Sequence, residues 1–157
     1  MDAVDGGLRR IEVHNDRDLA DLADLADHDE LDLPDSLDAP RVAREFVAAR
    51  SCGWEPPADS YVLVLLTSEL VTNAVQHSAH PRRLLLSCPD PGHVRVEVTD
   101  SGTALPVLTS FGPTGEGGRG LSLVDQLADS WGHEATSGGK RIWFVLPRPR
   151  RPSLMGC

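Results

Sequence analysis

The chain has 157 residues, 40% of them hydrophobic and 25% charged, which is one domain's worth of sequence with enough apolar side chains for a core. Its longest apolar run, Val62 to Leu66, is far too short to span a bilayer. The net charge of −9 belongs to one end of the chain, and the near-neutral remainder argues against a duplex-binding surface, which needs a concentrated basic face.

The acidity is local. Residues 1–38 hold 13 acidic against 3 basic residues, a balance of −10, and the remainder holds 11 acidic against 12 basic. No charged-then-apolar signal segment opens the chain, so a cytoplasmic protein with no membrane association is expected. Cys52, Cys88 and Cys157 are an odd number at unrelated spacings and read as reduced thiols.

Residues 1–30 read as an acidic N-terminal extension. The three-residue repeat from Asp18 to Asp27 places Leu19, Leu22 and Leu25 on a short, drifting apolar stripe. It is either a frayed or disordered segment or a docking helix. Residues 31–147 form the domain proper. Leu31-Asp32-Leu33 is a short strand candidate. Asp38 ahead of Pro40 marks a helix start, with Val42, Ala43, Phe46 and Val47 as its apolar face. Gly53, Pro56 and Pro57 break that helix. Asp59 or Ser60 caps a second one running to about His77.

Arg82 to Cys88 reads as a strand, and Pro89-Asp90-Pro91-Gly92 as a turn. Val94, Val96 and Val98 alternate with Arg95, Glu97 and Thr99, which predicts a strand with one buried face. Residues 103–117 are rich in Gly, Pro, Ser and Thr and form a long loop without periodicity, a functional lid or a disordered segment. Gly120 opens a helix to about Ala128. Trp131 to Ala135 and Arg141 to Leu146 are two more strands around Gly138-Gly139. Residues 148–157 are a basic, proline-rich tail. Helices, a hairpin, a helix and another hairpin make an α/β two-layer sandwich, with a mixed, mainly antiparallel sheet and helices on one face.

Three stretches carry groups suited to chemistry. Glu69, Asn73 and His77 fall at i, i+4 and i+8 of the second helix, along one face. That face is either a solvated polar stripe or a site. As a site, Asn73 supplies an amide oxygen to Mg²⁺, Glu69 accepts a proton from an attacking hydroxyl or water, and His77 complements the helix dipole or touches a phosphate. Asp100-Ser101-Gly102 ends a strand. It is a common turn, or a carboxylate placed to accept a hydrogen bond from an exocyclic amine, with Gly102 letting a flat base approach. Gly115-Glu116-Gly117-Gly118-Arg119-Gly120-Leu121 is a flexible loop or a phosphate cradle at a helix N-terminus. Arg119 is a solvated loop residue or a phosphate partner. Lys140, the only lysine, reads as a solvated turn residue with the site as its second reading. Trp131, Trp143 and Phe144 read as core or interface.

In order and spacing these elements resemble the GHKL superfamily of ATP-binding domains. Glu69-Leu-Val-Thr-Asn73-Ala is similar to its N-box, Asp100-Ser-Gly102 to its G1 box, and Gly118-Arg-Gly120-Leu121 to its G2 box. Gly139-Lys-Arg-Ile-Trp-Phe144 resembles the last strand of the anti-sigma factor serine kinases. The resemblance implies a Bergerat-type fold binding ATP and Mg²⁺ under a lid at residues 103–118. Glu69 would be the general base, Asn73 the metal ligand and Asp100 the adenine reader. Gly102, Gly118, Gly120 and Leu121 would line the nucleotide. The implied partners are a sigma factor and an antagonist protein carrying the acceptor serine, and the implied activity is serine/threonine protein kinase. A purely binding role, and a homodimer, stay open. Two positions depart from the pattern: Arg141 stands where related sequences often carry Thr, and Thr103-Ala104 follows Gly102 in place of a second glycine.

Overall fold

The alternation around Val94–Val98 produces β3 (His93–Asp100), the middle strand of a five-stranded sheet ordered β1-β2-β3-β5-β4. In this computed structural model residues 28–52, 54, 57–77, 80–102 and 119–149 are described. The 103–118 loop, the tail beyond 149 and all of the extension before His28 lie outside the described residues.

The other strands are β1 (His28–Asp32), β2 (Pro81–Asp90), β4 (Ser130–Thr136) and β5 (Gly139–Pro147), and every pairing is antiparallel. The helices are α1 (Ala39–Arg50), α2 (Pro57–Gln76) and α3 (Arg119–Leu127). The architecture is thus the two-layer α/β sandwich expected, with the sheet wholly antiparallel among the described residues. The second helix starts at Pro57, before the expected Asp59 or Ser60 cap, because proline at a helix's first turn lacks only a donor that would be unpaired there anyway. The β2–β3 turn tightens to Pro91-Gly92, where Gly92 N donates to Asp90 Oδ1 at 2.7 Å.

One face of the sheet carries Leu84, Leu86, Val94, Val96, Val98, Ile142, Phe144, Leu146 and Trp131, all buried. The helices press Ala39, Ala43, Val47, Leu63, Leu66, Leu70, Val71, Leu121, Val124 and Ala128 onto it. Each fully buried leucine of α2 contributes roughly 1.5–3 kcal/mol by leaving water. Polar links fix the helices to one another and to the sheet. Ser51 Oγ, fully buried, donates to Val47 O and meets Ser60 Oγ at 2.7 Å, tying the end of α1 to the start of α2. Trp131 Nε1 donates to Asp125 Oδ1 at 2.9 Å, which holds α3 on β4 while satisfying the buried indole.

On the opposite face of the sheet Arg95, Glu97, Arg141 and Glu134 form a chain of ion pairs. The Arg95 guanidinium lies 4.7 Å over the Trp143 ring, so Trp143 is packed there and Phe144 and Trp131 sit in the core, as read from the sequence. Cys52, exposed in the turn after α1, is disulfide-bonded, which corrects the expectation of a thiol at that position. An exposed sulfur in a turn is open to a second cysteine that spacing along the chain does not reveal.

Candidate nucleotide site

Asp100 is the last residue of β3 and only 1% exposed. A carboxylate at that depth needs partners. One oxygen, Oδ1, accepts from Gly102 N at 2.8 Å and lies 3.5 Å from Lys140 Nζ. The other, Oδ2, is buried with no hydrogen-bond partner among the described residues. A buried acceptor of this kind calls for a donor, which a ligand or an ordered water can supply. Burial pushes the Asp100 carboxyl above the ordinary aspartate value, and the Gly102 N–H and the Lys140 ammonium oppose that push.

Lys140 is not the solvated turn residue expected. It is 3% exposed and faces Asp100 directly across the β3–β5 ladder. On β5 it occupies the same face as Ile142, Phe144 and Leu146, so alternation carries it inward with them. Gly139, with φ +152°, lets β5 approach this point closely: a β-carbon there would lie 2.0 Å from the Asp100 carbonyl oxygen. The Gly138-Gly139 pair was visible as a turn signal, but nothing in the sequence says which strand it must graze.

Ser101 holds the turn from the other side. Its N–H donates to His80 O at 3.1 Å, and His80 N donates back to Ser101 Oγ at 3.3 Å. His80 stands three residues after His77, at most about 11 Å of extended chain. The chain leaving α2 just past Asn73 and His77 is therefore tethered to the Asp100–Gly102 turn through His80. This clasp had no motif to announce it.

Along α2 the polar stripe is graded. Glu69 is half-buried, Asn73 is 8% exposed, and His77 is exposed at the helix end, its N–H donating to Asn73 O at 3.1 Å. A uniformly solvated face is thereby excluded at Asn73, which lies among buried Leu70, Val71 and Ala74. The chemistry of the donors suits a hard cation, since an amide oxygen and a neighbouring carboxylate sit one turn apart. Among the described residues no group of three His, Cys, Asp or Glu side chains converges on a metal site. A cation held at Asn73 would take its other ligands from phosphate and water, as Mg²⁺ does at nucleotide sites.

The third expected stretch is placed only in part. Gly118 lies outside the described residues, and Arg119 and Gly120 are described only as the first backbone turn of α3. Leu121 is 3% exposed and belongs to the core cluster. α3 packs against α2, the element that bears Glu69 and Asn73.

An antiparallel α/β sandwich with a buried, unpaired carboxylate at the end of its central strand is compatible with a nucleotide-binding class of domain, and the family match supplies that class. The family described as histidine kinase-, DNA gyrase B-, and HSP90-like ATPase matches residues 58–150, and the chain belongs to it. The match takes in Glu69, Asn73, Asp100, Gly102 and Lys140, and ATP binding follows from it. The chain is also 39% identical over 71 residues to an uncharacterized protein of Streptomyces coelicolor, covering 43% of this chain and 68% of that relative. No helix among the described residues is long and apolar enough to cross a membrane.

Proposed function

We propose that this ATP-binding regulatory protein is an anti-sigma factor with serine/threonine kinase activity toward an antagonist protein. The observation that carries the reading is the half-buried Glu69 one turn from buried Asn73, on the helix that precedes His80, the residue hydrogen-bonded to Ser101 of the Asp100 turn. Binding, positioning and proton removal then lie on one surface. Asp100 receives the base through Oδ2. Asn73 would offer its amide oxygen to a Mg²⁺ accompanying the phosphates, and that ion would supply charge neutralisation. Glu69 takes the proton of the acceptor serine hydroxyl as that oxygen attacks the γ-phosphorus, while the bond from phosphorus to the β–γ bridging oxygen breaks and ADP leaves. Catalysis of this kind is mostly alignment and charge neutralisation.

One observation favours a second reading, an ATP-binding module that regulates by occupancy without transfer. Arg141, where related sequences often carry Thr, pairs with Glu97 and Glu134 on the sheet face remote from the helices. Incubation with γ-labelled ATP, Mg²⁺ and a candidate antagonist separates the two. Label on the antagonist's serine supports the kinase. Tight ATP binding with neither transfer nor phosphate release supports the module and removes Glu69 as a base.

A further inference from the structure

A buried ammonium is costly, and the face of β5 that holds Lys140 is otherwise apolar: Ile142, Phe144 and Leu146 follow it in step. Replacing a buried ion pair by apolar residues is often neutral or stabilising, so fold stability alone does not account for a lysine there. Its Nζ is 3.5 Å from the Asp100 oxygen that Gly102 already occupies, and not on the oxygen left open. The ammonium therefore leaves the base-facing oxygen free.

We propose that Lys140 is a specificity-determining residue that acts through Asp100, holding the carboxylate as a pure acceptor so that the pocket selects a base presenting an amine over one presenting a carbonyl. The inference rests on the reading of Asp100 as the base partner. A carboxylate offers only lone pairs, whereas a carboxylic acid also donates. Burial by itself drives Asp100 toward the acid, and Lys140 and the Gly102 N–H are the groups that act against it. From β2 the register partner is Pro81, which brings no charge. Without the ammonium, Asp100 takes up a proton more readily and its open oxygen turns toward carbonyl acceptors. Selectivity then weakens from both ends: the amine loses an anionic partner and the carbonyl gains a donor. Lys140 is thus a positioning residue of the base pocket, at the opposite end of the ligand from any phosphate.

The test compares ATP with inosine triphosphate, which exchanges the exocyclic amine for a carbonyl and leaves sugar and phosphates unchanged. Dissociation constants for both are measured by calorimetry on the full chain and on Lys140→Met, with folding checked by circular dichroism. The wild type should prefer ATP, and in Lys140→Met the preference should shrink by roughly tenfold, the scale of a hydrogen bond to a charged group. General damage to the pocket would weaken both ligands equally and leave the ratio unchanged. That result would overturn the proposal. Lys140→Gln keeps a polar chain without the charge and should narrow the ratio in the same way. Full discrimination retained by the Gln variant would also overturn it, and this variant decides the question if the Met variant does not fold. A wild type that binds neither nucleotide would instead overturn the reading of the site itself.

Discussion

Gly139 and Asp100 are in such close backbone contact that a single methyl on Gly139 would come within 2.0 Å of the Asp100 carbonyl oxygen and 2.7 Å of the Ser101 α-carbon. With φ at +152°, the position is also one that side chains rarely adopt. Backbone cannot step aside as a flexible side chain can. Gly139→Ala should therefore displace the Asp100–Gly102 turn, lower stability by about 1–3 kcal/mol and weaken ATP binding. Urea unfolding and an ATP titration measure the two effects. The control is Gly138→Ala, whose methyl meets nothing within 4 Å, and neither quantity should change there.

The orphaned Oδ2 of Asp100 predicts base selectivity. ATP with Mg²⁺ should bind more tightly than GTP, whose carbonyl would oppose the carboxylate. Asp100→Asn should cost ATP about 1–3 kcal/mol, the usual penalty for unpairing a buried polar group. Calorimetry with both nucleotides checks this, and equal affinities would remove Asp100 from the role of reader.

Glu69 and Asn73 should separate kinetically although they are one turn apart. Glu69→Gln should leave ATP binding nearly intact while phosphoryl transfer falls by roughly 10²-fold or more, as for a lost general base. Asn73→Ala should weaken Mg·ATP binding itself. Full transfer by Glu69→Gln would show that the proton leaves by another path.

Acidification should act on Asp100 with opposite signs on binding and on folding. The folded carboxyl is raised above its unfolded value by burial, so the stability it contributes is fully present below the ordinary aspartate range and is lost as pH rises through the raised value. ATP needs the ionised form, so affinity should fall as pH drops through that same window, starting above the ordinary aspartate value of 3.8. Asp100→Asn has no proton to take up at this site. Its residual affinity should lack that part of the pH dependence, which a paired titration of the two proteins reads directly.

Much of this fold is legible in the chain because its signals are local. The valine alternation of β3 and the apolar stripe of α1 depend on near neighbours, and both elements fall where periodicity places them. β1 was legible only as Leu31-Asp32-Leu33, since acidic residues favour strands poorly and its first residues are fixed by pairing Asp29 with Leu86 and Glu30 with Leu85. In the candidate site, Glu69, Asn73 and Asp100 stand out in the sequence as residue types at fixed offsets. The partnership of Asp100 with Lys140 was not, because strand register is set by tertiary pairing across a loop and a helix. The same is true of the Ser101–His80 clasp, which joins backbone groups of both residues and one common serine hydroxyl across 21 residues of chain.

The β3–β5 register has a kinetic consequence. Asp100 and Lys140 are separated by 40 residues of chain, and they come together only when that long loop closes. Neither the β2–β3 hairpin nor the β4–β5 hairpin, each able to form from nearby sequence, contains both halves of the proposed base pocket. Partly folded chains therefore offer nucleotide no foothold. Ligand acts only after the central pairing is made, so it should slow unfolding and leave the refolding rate unchanged.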